Sequence, residues 1–283
     1  MEKSKTKKYF LVDNGSLRPE SVLYIRDIAH QLSKVSGKKV DPAGIMHSHK
    51  VDPLKLNRIP GLSMEAFFQS MDSNELECIN FIPMFLGPSL AITDWLKGRA
   101  DAWFAAKPGR EYKIADCLFR KGDERIASAL CEHVMQSLSE DGQIKPYVIL
   151  VDHGTPQREV NLVREEIGNQ LKKKLPGIIS GFSTASMERR AGEEYAFNDP
   201  LLEKLLAEIC ARGERNVIVA QLFLAPGRHA GSNGDITKIC LPFEKDGVRI
   251  KQTPTLGKHP YLIEILGERL REFQKLGFRG SLI

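Results

Sequence analysis

Residues 147–156 read YVILVDHGTP and repeat, with small changes, the stretch YFLVDNGS at residues 9–16. A second pair follows: FIPMFLGP begins at residue 81, and VAQLFLAPGRH begins at residue 219. The partners of each pair lie about 138 residues apart, which indicates a duplicated domain. In the first pair an aliphatic run ends at Asp-X-Gly, a pattern typical of a buried parallel strand that closes in a tight turn. The sequence therefore predicts two similar α/β domains, each built around such a strand.

The elements that follow each first strand support this prediction. Apolar residues recur at helical spacing after Ser16 and after Thr155, and either hydroxyl can cap a helix there. A second strand, a helix, a third strand and a closing strand and helix then occur in both copies. We expect two tandem doubly wound, flavodoxin-like parallel-sheet domains, at residues 1–138 and 147–283. Polar and turn residues at 139–146 predict the linker.

Composition narrows the class of protein. The start, MEKSKTKKYF, is too polar for a signal peptide, and the apolar runs are much shorter than a membrane span, so we expect a cytoplasmic protein without a membrane partner. The formal charge of +5 is mild, which favours an acidic small molecule over nucleic acid. The five cysteines form no CxxC pair and are odd in number, so we expect reduced core residues instead of disulfides or a cysteine metal site.

Three polar residues of the second copy follow predicted strands. His153 comes after the first strand, Glu188 after the second and His229 after the third. Ligands bind beyond the carboxyl ends of the strands in such sheets, so the three side chains are candidate metal ligands. Two imidazoles and a carboxylate suit a divalent first-row ion such as cobalt, iron, nickel or zinc.

Each candidate has a simpler interpretation. A histidine after a strand is often a structural hydrogen-bonding residue, and Glu188 could be solvated or paired with Arg189 or Arg190. The repeat favours ligation for the histidines. The first copy keeps the flanking Val-Asp and Gly but has Asn14 in place of His153, and opposite His229 it has only Leu90 or Ala91. His47 is the approximate counterpart of Glu188, and we interpret it as a surface loop residue.

Two glycine-containing turns flank these residues. Gly154 permits a tight turn into a helix, so that amides around Thr155 and Gln157 could face an anionic group. The loop PGRHAGSNGD, residues 226–235, contains several glycines around His229. Such a flexible loop would let the His229 side chain approach a bulky ligand and then move away from it.

Four motifs together resemble the signatures of a known family. LVDHGTP, SMERR, QLFLAPGRHAGSNGDI and TLGKHP are similar, in that order, to motifs of the sirohydrochlorin chelatases, the metal-inserting enzymes of the anaerobic cobalamin and siroheme pathways. The resemblance covers the whole second half, and a degenerate form covers the first. It implies two flavodoxin-like lobes with an open tetrapyrrole cleft between them. It also implies that His153 and His229 handle metal and protons and that Glu188 completes the metal site.

The resemblance further implies the partners. The substrates would be Co²⁺ or Fe²⁺ and sirohydrochlorin, a tetrapyrrole that carries many carboxylates, with no organic cofactor. Cationic side chains beside the motifs could receive those carboxylates, although each one can also be read as a solvated surface charge: Arg158, Arg189, Arg190, Arg228 and Lys258. Gly154 and Thr155 would add backbone contacts. We expect a monomer in which the repeat acts as an internal dimer and the first lobe supplies the far wall of the cleft.

The expected function is therefore the insertion of cobalt or iron into a tetrapyrrole. A tetrapyrrole or metal carrier that kept the fold and lost turnover would share every ligand. A third reading is an α/β enzyme that uses a metal as Lewis acid on another anionic substrate.

Overall fold

Two four-stranded parallel sheets form the framework of the chain. The computed structural model describes residues 6–70, 75–138, 145–231 and 233–275. The first sheet has the order β2-β1-β3-β4, and the second has the same order, β6-β5-β7-β8. The strands are β1 Lys7–Asp13, β2 Val40–Gly44, β3 Cys78–Pro83, β4 Glu111–Ile114, β5 Tyr147–Asp152, β6 Gly181–Ser186, β7 Asn216–Gln221 and β8 Arg249–Gln252. The predicted doubly wound α/β fold is confirmed.

The repeated stretches form the central strands of both sheets. Leu11 of β1 lies between Pro42 and Ile82 in the register of its sheet, and Leu150 of β5 lies between Thr184 and Ala220. Both leucines are fully buried because helices cover the two faces of each sheet. The aliphatic runs of the repeated stretches thus lie in the cores of the two units.

Eight α-helices among the described residues connect and cover the strands. They are α1 Pro19–Ser36, α2 Met64–Gln69, α3 Lys97–Ala105, α4 Arg125–Ser137, α5 Arg158–Lys174, α6 Leu202–Ala211, α7 Asp235–Lys245 and α8 Pro260–Lys275. A π-helical turn, Ala91–Leu96, leads into α3, and short 3-10 turns lie at Ser48–Lys50, Pro53–Leu56 and Glu193–Asn198. None of these helices is long and apolar enough to cross a membrane.

The first helix of each unit starts later than the predicted caps. Ser16 accepts a hydrogen bond from the Arg18 amide at 3.0 Å, and Thr155 accepts one from the Gln157 amide at 3.1 Å. These hydroxyls close a tight turn ahead of the helix, so α1 begins at Pro19 and α5 at Arg158. The prediction that Ser16 and Thr155 cap these helices was wrong. The two copies nevertheless share the same turn ahead of the helix.

Two compact units divide the chain at different points from the sequence repeat. The first comprises Met1–Leu118 with Leu262–Ile283, and the second comprises Phe119–Tyr261. The C-terminal helix α8 belongs to the first unit because the buried Arg269 donates to the carbonyls of Cys117 and Leu118, each at 3.0 Å. Helix α4 contacts α5 and β7 of the second unit. Of the predicted linker, residues 139–144 lie outside the described part of the chain.

Candidate functional site

The turn after β5 presents His153 at the carboxyl end of the second sheet. The Asp152 carboxylate accepts a hydrogen bond from the Gly154 amide at 3.1 Å, which closes the Asp-His-Gly turn. Gly154 has φ +92, and a Cβ built on it would lie 1.8 Å from the Glu188 carbonyl oxygen. Only glycine allows this close approach of the two backbones. The turn thereby holds His153 beside the segment that carries Glu188.

Glu188 follows β6 in a continuation of the strand pairing. The Met187 amide donates to the Asp152 carbonyl at 2.8 Å, and the Glu188 amide donates to the His153 carbonyl at 3.2 Å. The side chains meet beyond these bonds, with His153 Nε2 3.2 Å from Glu188 Oε1. They are 47% and 60% exposed, respectively, so an ion in solution can reach both.

His229 lies in the glycine-rich loop after β7 and packs against His153. The centroids of the two imidazole rings are 4.6 Å apart, and the ring planes are inclined at 70°. The loop folds back onto the start of α7, where the Ile236 amide donates to the His229 carbonyl at 3.1 Å. His229 is 27% exposed. The structure therefore brings together the three residues that the sequence singled out.

The hydrogen bonds of the imidazoles define which nitrogens face the site. His229 Nδ1 donates to Asp235 Oδ2 at 2.9 Å, and His153 Nδ1 donates to the Gly154 carbonyl at 3.0 Å, because both partners can only accept. The Nε2 atom of each ring is thus left for a metal ion or a proton. A carboxylate behind a ligating imidazole fixes its tautomer and its orientation.

Electrostatics favour a neutral His229. Burial and the neighbouring His153 lower the pKa of His229, while the Asp235 carboxylate opposes the shift. Asp235 itself bonds Lys238 Nζ at 3.0 Å, and the pKa of this carboxyl is lowered by Lys238 and then by His229. A neutral imidazole at neutral pH is the form that binds a metal.

The spacing of the donor atoms suits a shared ion. Two bonds near 2 Å at a tetrahedral angle place their donor atoms about 3.3 Å apart, and His153 Nε2 and Glu188 Oε1 are 3.2 Å apart. Within the four described ranges, no group of three or more His, Cys, Asp or Glu side chains is already arranged to hold an ion. His153 Nε2 and Glu188 Oε1 lie side by side, with the His229 ring packed against His153, so the site is open and not a closed cage.

A buried network beneath the site connects the two strand ends. Arg164 of α5 is only 2% exposed and donates to Asp152 at 3.5 Å, to the Asn198 carbonyl at 3.2 Å and to Ser186. Ser186 donates to the same Asp152 oxygen at 2.7 Å. Burial raises the pKa of Asp152, and Arg164 opposes that shift. Asp152 lies directly before His153, and Ser186 lies two residues before Glu188. This network therefore fixes the spacing of the proposed ligands.

Asn198 adds a second tie to the same turn. Its side chain accepts from the Thr155 amide and donates to the Thr155 carbonyl, both at 2.9 Å. The Gln157 amide is bonded to the Thr155 hydroxyl. Both amides that we expected to face an anion are therefore used within the protein, and Thr155 offers no backbone N–H to a substrate in this arrangement.

The cationic residues predicted beside the motifs differ in their surroundings. Arg189 bonds Asp199 at 3.0 Å and the Gly192 carbonyl at 2.9 Å, so it stabilises its own loop. Arg190 lies over the Tyr195 ring, 5.9 Å from the ring centroid. Three others are exposed at the surface of the second unit: Arg158, Arg228 and Lys258.

Sequence reasoning missed three residues of this arrangement, which are Asp235, Arg164 and Asn198. Arg164 carried a signal, because it is a charged residue on the apolar stripe of a predicted helix, between Val163 and Ile167. Asp235 also carried one, as the acidic residue that ends the glycine-rich loop and opens α7. Asn198 gave none.

The first unit repeats the backbone of the site without its ligands. The Ile45 amide donates to the Asp13 carbonyl at 2.7 Å and the Met46 amide to the Asn14 carbonyl at 3.4 Å, as Met187 and Glu188 do in the second unit. Met46 is thus the counterpart of Glu188, one position before the predicted His47. Asn14 stands in place of His153, so neither counterpart supplies the imidazole or the carboxylate that the second unit offers to a first-row divalent ion.

Comparisons with known proteins match the second half of the chain in sequence. Residues 147–273 match the family model described as CbiX. A sirohydrochlorin ferrochelatase of the chloroplast from Arabidopsis thaliana is 29% identical over 126 residues, which are 44% of this chain and 51% of that protein. This chain thus spans about half the length of the curated relative that it matches. The resemblance seen in the motifs is confirmed.

Solved structures support the fold of the whole chain. SirB from Bacillus subtilis with Fe³⁺ gives a TM-score of 0.69 at 12% identity, covering 94% of this chain and 95% of that one. The sirohydrochlorin chelatase SirB from Bacillus subtilis subspecies spizizenii, in complex with cobalt, gives 0.68 at 12% identity, covering 95% and 96%. At such low identity the likeness establishes the two-domain α/β fold.

Proposed function

We propose that this chain, with its CbiX-type second half, is a metal chelatase that inserts a divalent ion, cobalt or iron, into sirohydrochlorin. The observation that carries the proposal is the meeting of His153, Glu188 and His229 at the strand ends. The relative named as a ferrochelatase and the solved chelatases with iron or cobalt support the choice of substrate.

Metal capture would use the donors that the hydrogen bonds leave open. The Nε2 atoms of His153 and His229 and the carboxylate of Glu188 would bind the ion, and the carboxylate would offset part of its charge. Half-exposed ligands bind an ion less permanently than a buried cage does, and release is required because the ion must pass to the macrocycle. Asp235 would hold His229 in the tautomer that ligates.

Proton transfer completes the exchange. Insertion replaces two pyrrole N–H protons by one divalent ion, so two protons must leave as four ring nitrogens bind the metal. When the bonds from the ion to the imidazoles break, the freed Nε2 lone pairs of His153 and His229 can accept those protons. The same nitrogens thus serve as ligand and then as base, which explains why two adjacent imidazoles suit this reaction.

Substrate carboxylates would pair with the exposed cations of the second unit. Arg158, Arg190, Arg228 and Lys258 are at the surface near the motif turns, and guanidinium groups form the stronger, bidentate pairs. Arg189 is hydrogen-bonded to Asp199, so its role would be to stabilise the loop after Glu188. Since both copies of the repeat lie in one chain, we propose that a single chain is the working unit, which light scattering would test.

The test is an anaerobic absorbance assay with sirohydrochlorin and Co²⁺ or Fe²⁺, compared with the spontaneous rate. The native protein should accelerate insertion, His153→Ala and His229→Ala should each lose most of that activity, and Asn14→Ala should retain it. No acceleration with either metal would overturn the enzyme proposal. Metal binding that depends on His153 but gives no acceleration would instead support a carrier.

A further inference from the structure

A large groove lies in the first unit, on the side where β2 forms the edge of the sheet. It has a volume of about 840 Å³ and runs between α1 and β2, which we call the α1–β2 groove. Its floor is apolar, with side chains from both elements and from the segment Ile59–Leu62; these include Val22, Ile25, Ala29, Val40 and Ala43. A cavity of this size and lining is typical of a small-molecule site.

The edge strand in the groove is closed to pairing with another strand. The Val40 amide donates to the Ser33 hydroxyl at 3.0 Å, and the Gly44 amide donates to the Leu62 carbonyl at 3.0 Å. Between them Pro42 has no N–H to offer. Since the outward amides of β2 are already used or absent, an extended peptide cannot add to the sheet here. The occupant must instead be recognised by its apolar surface and its charge.

The charge of the groove is strongly positive. Among the described residues that line it, one is a carboxylate, Asp41, and five are cationic: Lys8, Arg26, Lys34, Lys38 and Lys39. Asp41 is within 3.6 Å of Lys8 and 3.8 Å of Lys39. Arg26 donates to three neutral carbonyls, those of Leu56, Ile59 and Pro60. These bonds to carbonyls fix the guanidinium in the wall, and a neutral carbonyl does not offset its positive charge.

The positive charge of Arg26 is particular to the first copy of the repeat. Arg26 lies the same number of residues after Asp13 as Glu165 does after Asp152. In the second unit Glu165 accepts from the Thr184 hydroxyl of the neighbouring strand at 2.8 Å. A carboxylate therefore stands where the first unit has a guanidinium, so the basic groove is not a consequence of the shared fold.

We propose that the α1–β2 groove is a binding site for a small amphipathic anion. The apolar body of the ligand packs on the floor between α1 and β2, and its anionic groups meet Lys34 and Lys38, near the positive charge of Arg26 in the wall. The site is separate from the histidines and lies within the first unit alone. It does not depend on the proposed insertion activity, so either proposal can fail without the other.

The test uses a probe of this chemistry on the full chain. Fluorescence titration with 8-anilinonaphthalene-1-sulfonate measures anion binding, and the uncharged N-phenyl-1-naphthylamine is the matched neutral probe. We expect the charged probe to bind more tightly than the neutral one, and its affinity to fall when salt rises from about 0.05 M to about 0.3 M. Lys34→Gln with Lys38→Gln should weaken its binding about fivefold or more.

The repeat supplies the control variant. Lys172 and Lys173 lie in the last turn of α5, as Lys34 lies in the last turn of α1, so Lys172→Gln with Lys173→Gln should leave binding unchanged. Ile59→Ser, at an exposed position of the groove, should weaken both probes. Equal loss in the two lysine variants, no loss in the groove variant, or equal affinity for the neutral probe would each overturn the proposal.

Discussion

Replacement of Gly154 by alanine should lower both the stability of the second unit and the activity of the proposed metal site, and the two losses can be measured separately. At φ +92 an alanine is strained by about 1 to 3 kcal/mol. The new Cβ would lie 1.8 Å from the Glu188 carbonyl oxygen, where real contacts stay beyond 3.0 Å. The two backbones must therefore move apart by more than about 1 Å. Bonds near 2 Å from His153 and Glu188 to one ion cannot follow such a shift.

The expected losses differ in kind. We expect the free energy of unfolding to fall by at least about 2 kcal/mol, and insertion by the folded fraction to fall about 100-fold, the effect of a misplacement near 1 Å. Urea unfolding measures the first quantity. Anaerobic insertion rates and Co²⁺ titration at the same concentration of folded protein measure the second.

Two other glycines provide matched controls. Gly15 has φ +81, and its Cβ would lie 1.8 Å from the Met46 carbonyl, so Gly15→Ala should cost similar stability without moving a ligand. Gly177 has φ +72, and a Cβ built on it would meet no atom of the described residues within 4 Å apart from its chain neighbours, so Gly177→Ala isolates the backbone strain. If Gly15→Ala loses as much insertion per folded molecule as Gly154→Ala, or if Gly154→Ala binds Co²⁺ normally, the reasoning is wrong.

The remaining predictions concern the ligands, their support and one carboxyl of the first unit. His153→Ala should abolish most Co²⁺ binding. Asn14→His should create no second site in a titration, because the first copy has only Leu90 or Ala91 at the position that corresponds to His229; a second equivalent of bound Co²⁺ would contradict this. Asp235→Asn should weaken Co²⁺ binding about 10-fold or more, because the amide no longer fixes the Nδ1–H tautomer of the imidazole; unchanged affinity would argue against that role. Burial raises the pKa of Asp13 from 3.8 to about 6, so this group favours the folded state in acid and loses that contribution as the pH rises from about 4 through about 6. The free energy of unfolding of Asp13→Asn, relative to that of the native protein, should therefore rise between pH 4 and pH 8, by up to about 3 kcal/mol. The gain is smaller if the half-buried carboxylate remains partly hydrated. A constant difference in urea unfolding across that range would refute it.

Much of the fold could be read from the sequence because strand and helix periodicities are local. The aliphatic runs that end at Asp13 and Asp152 form strands, as predicted, and these strands occupy inner positions of the two sheets. Helix starts could not be placed as well, since Ser16 and Thr155 use their hydroxyls in a turn that competes with capping. Assignment of the C-terminal helix to the first unit depends on Arg269, whose bonds span about 150 residues of sequence.

The candidate site could be predicted only as far as the strand ends allowed. His153, Glu188 and His229 each follow a strand, so the rule for parallel sheets places them together. Asp235 and Arg164 depend on side-chain directions that no local pattern specifies. Arg164 in particular contacts the ends of two strands and the segment before Pro200, a set of contacts that exists only after the unit has folded.

The two copies differ by two separate changes, and these have different structural costs. At Asn14 and Met46 the first unit keeps the backbone hydrogen bonds that position His153 and Glu188 in the second unit. At these two positions only the side chains differ. After β3 the backbone itself is different. The first copy has Leu90 or Ala91 at the position of His229, and both lie at the start of the π-helical turn Ala91–Leu96, where the second unit has its glycine-rich loop. Asn14→His with Met46→Glu would therefore rebuild only two ligands of three. The third requires a loop that can bring an imidazole back over the strand ends, and such a loop cannot be restored by a point substitution in a helical segment whose Ile92 and Leu96 are fully buried.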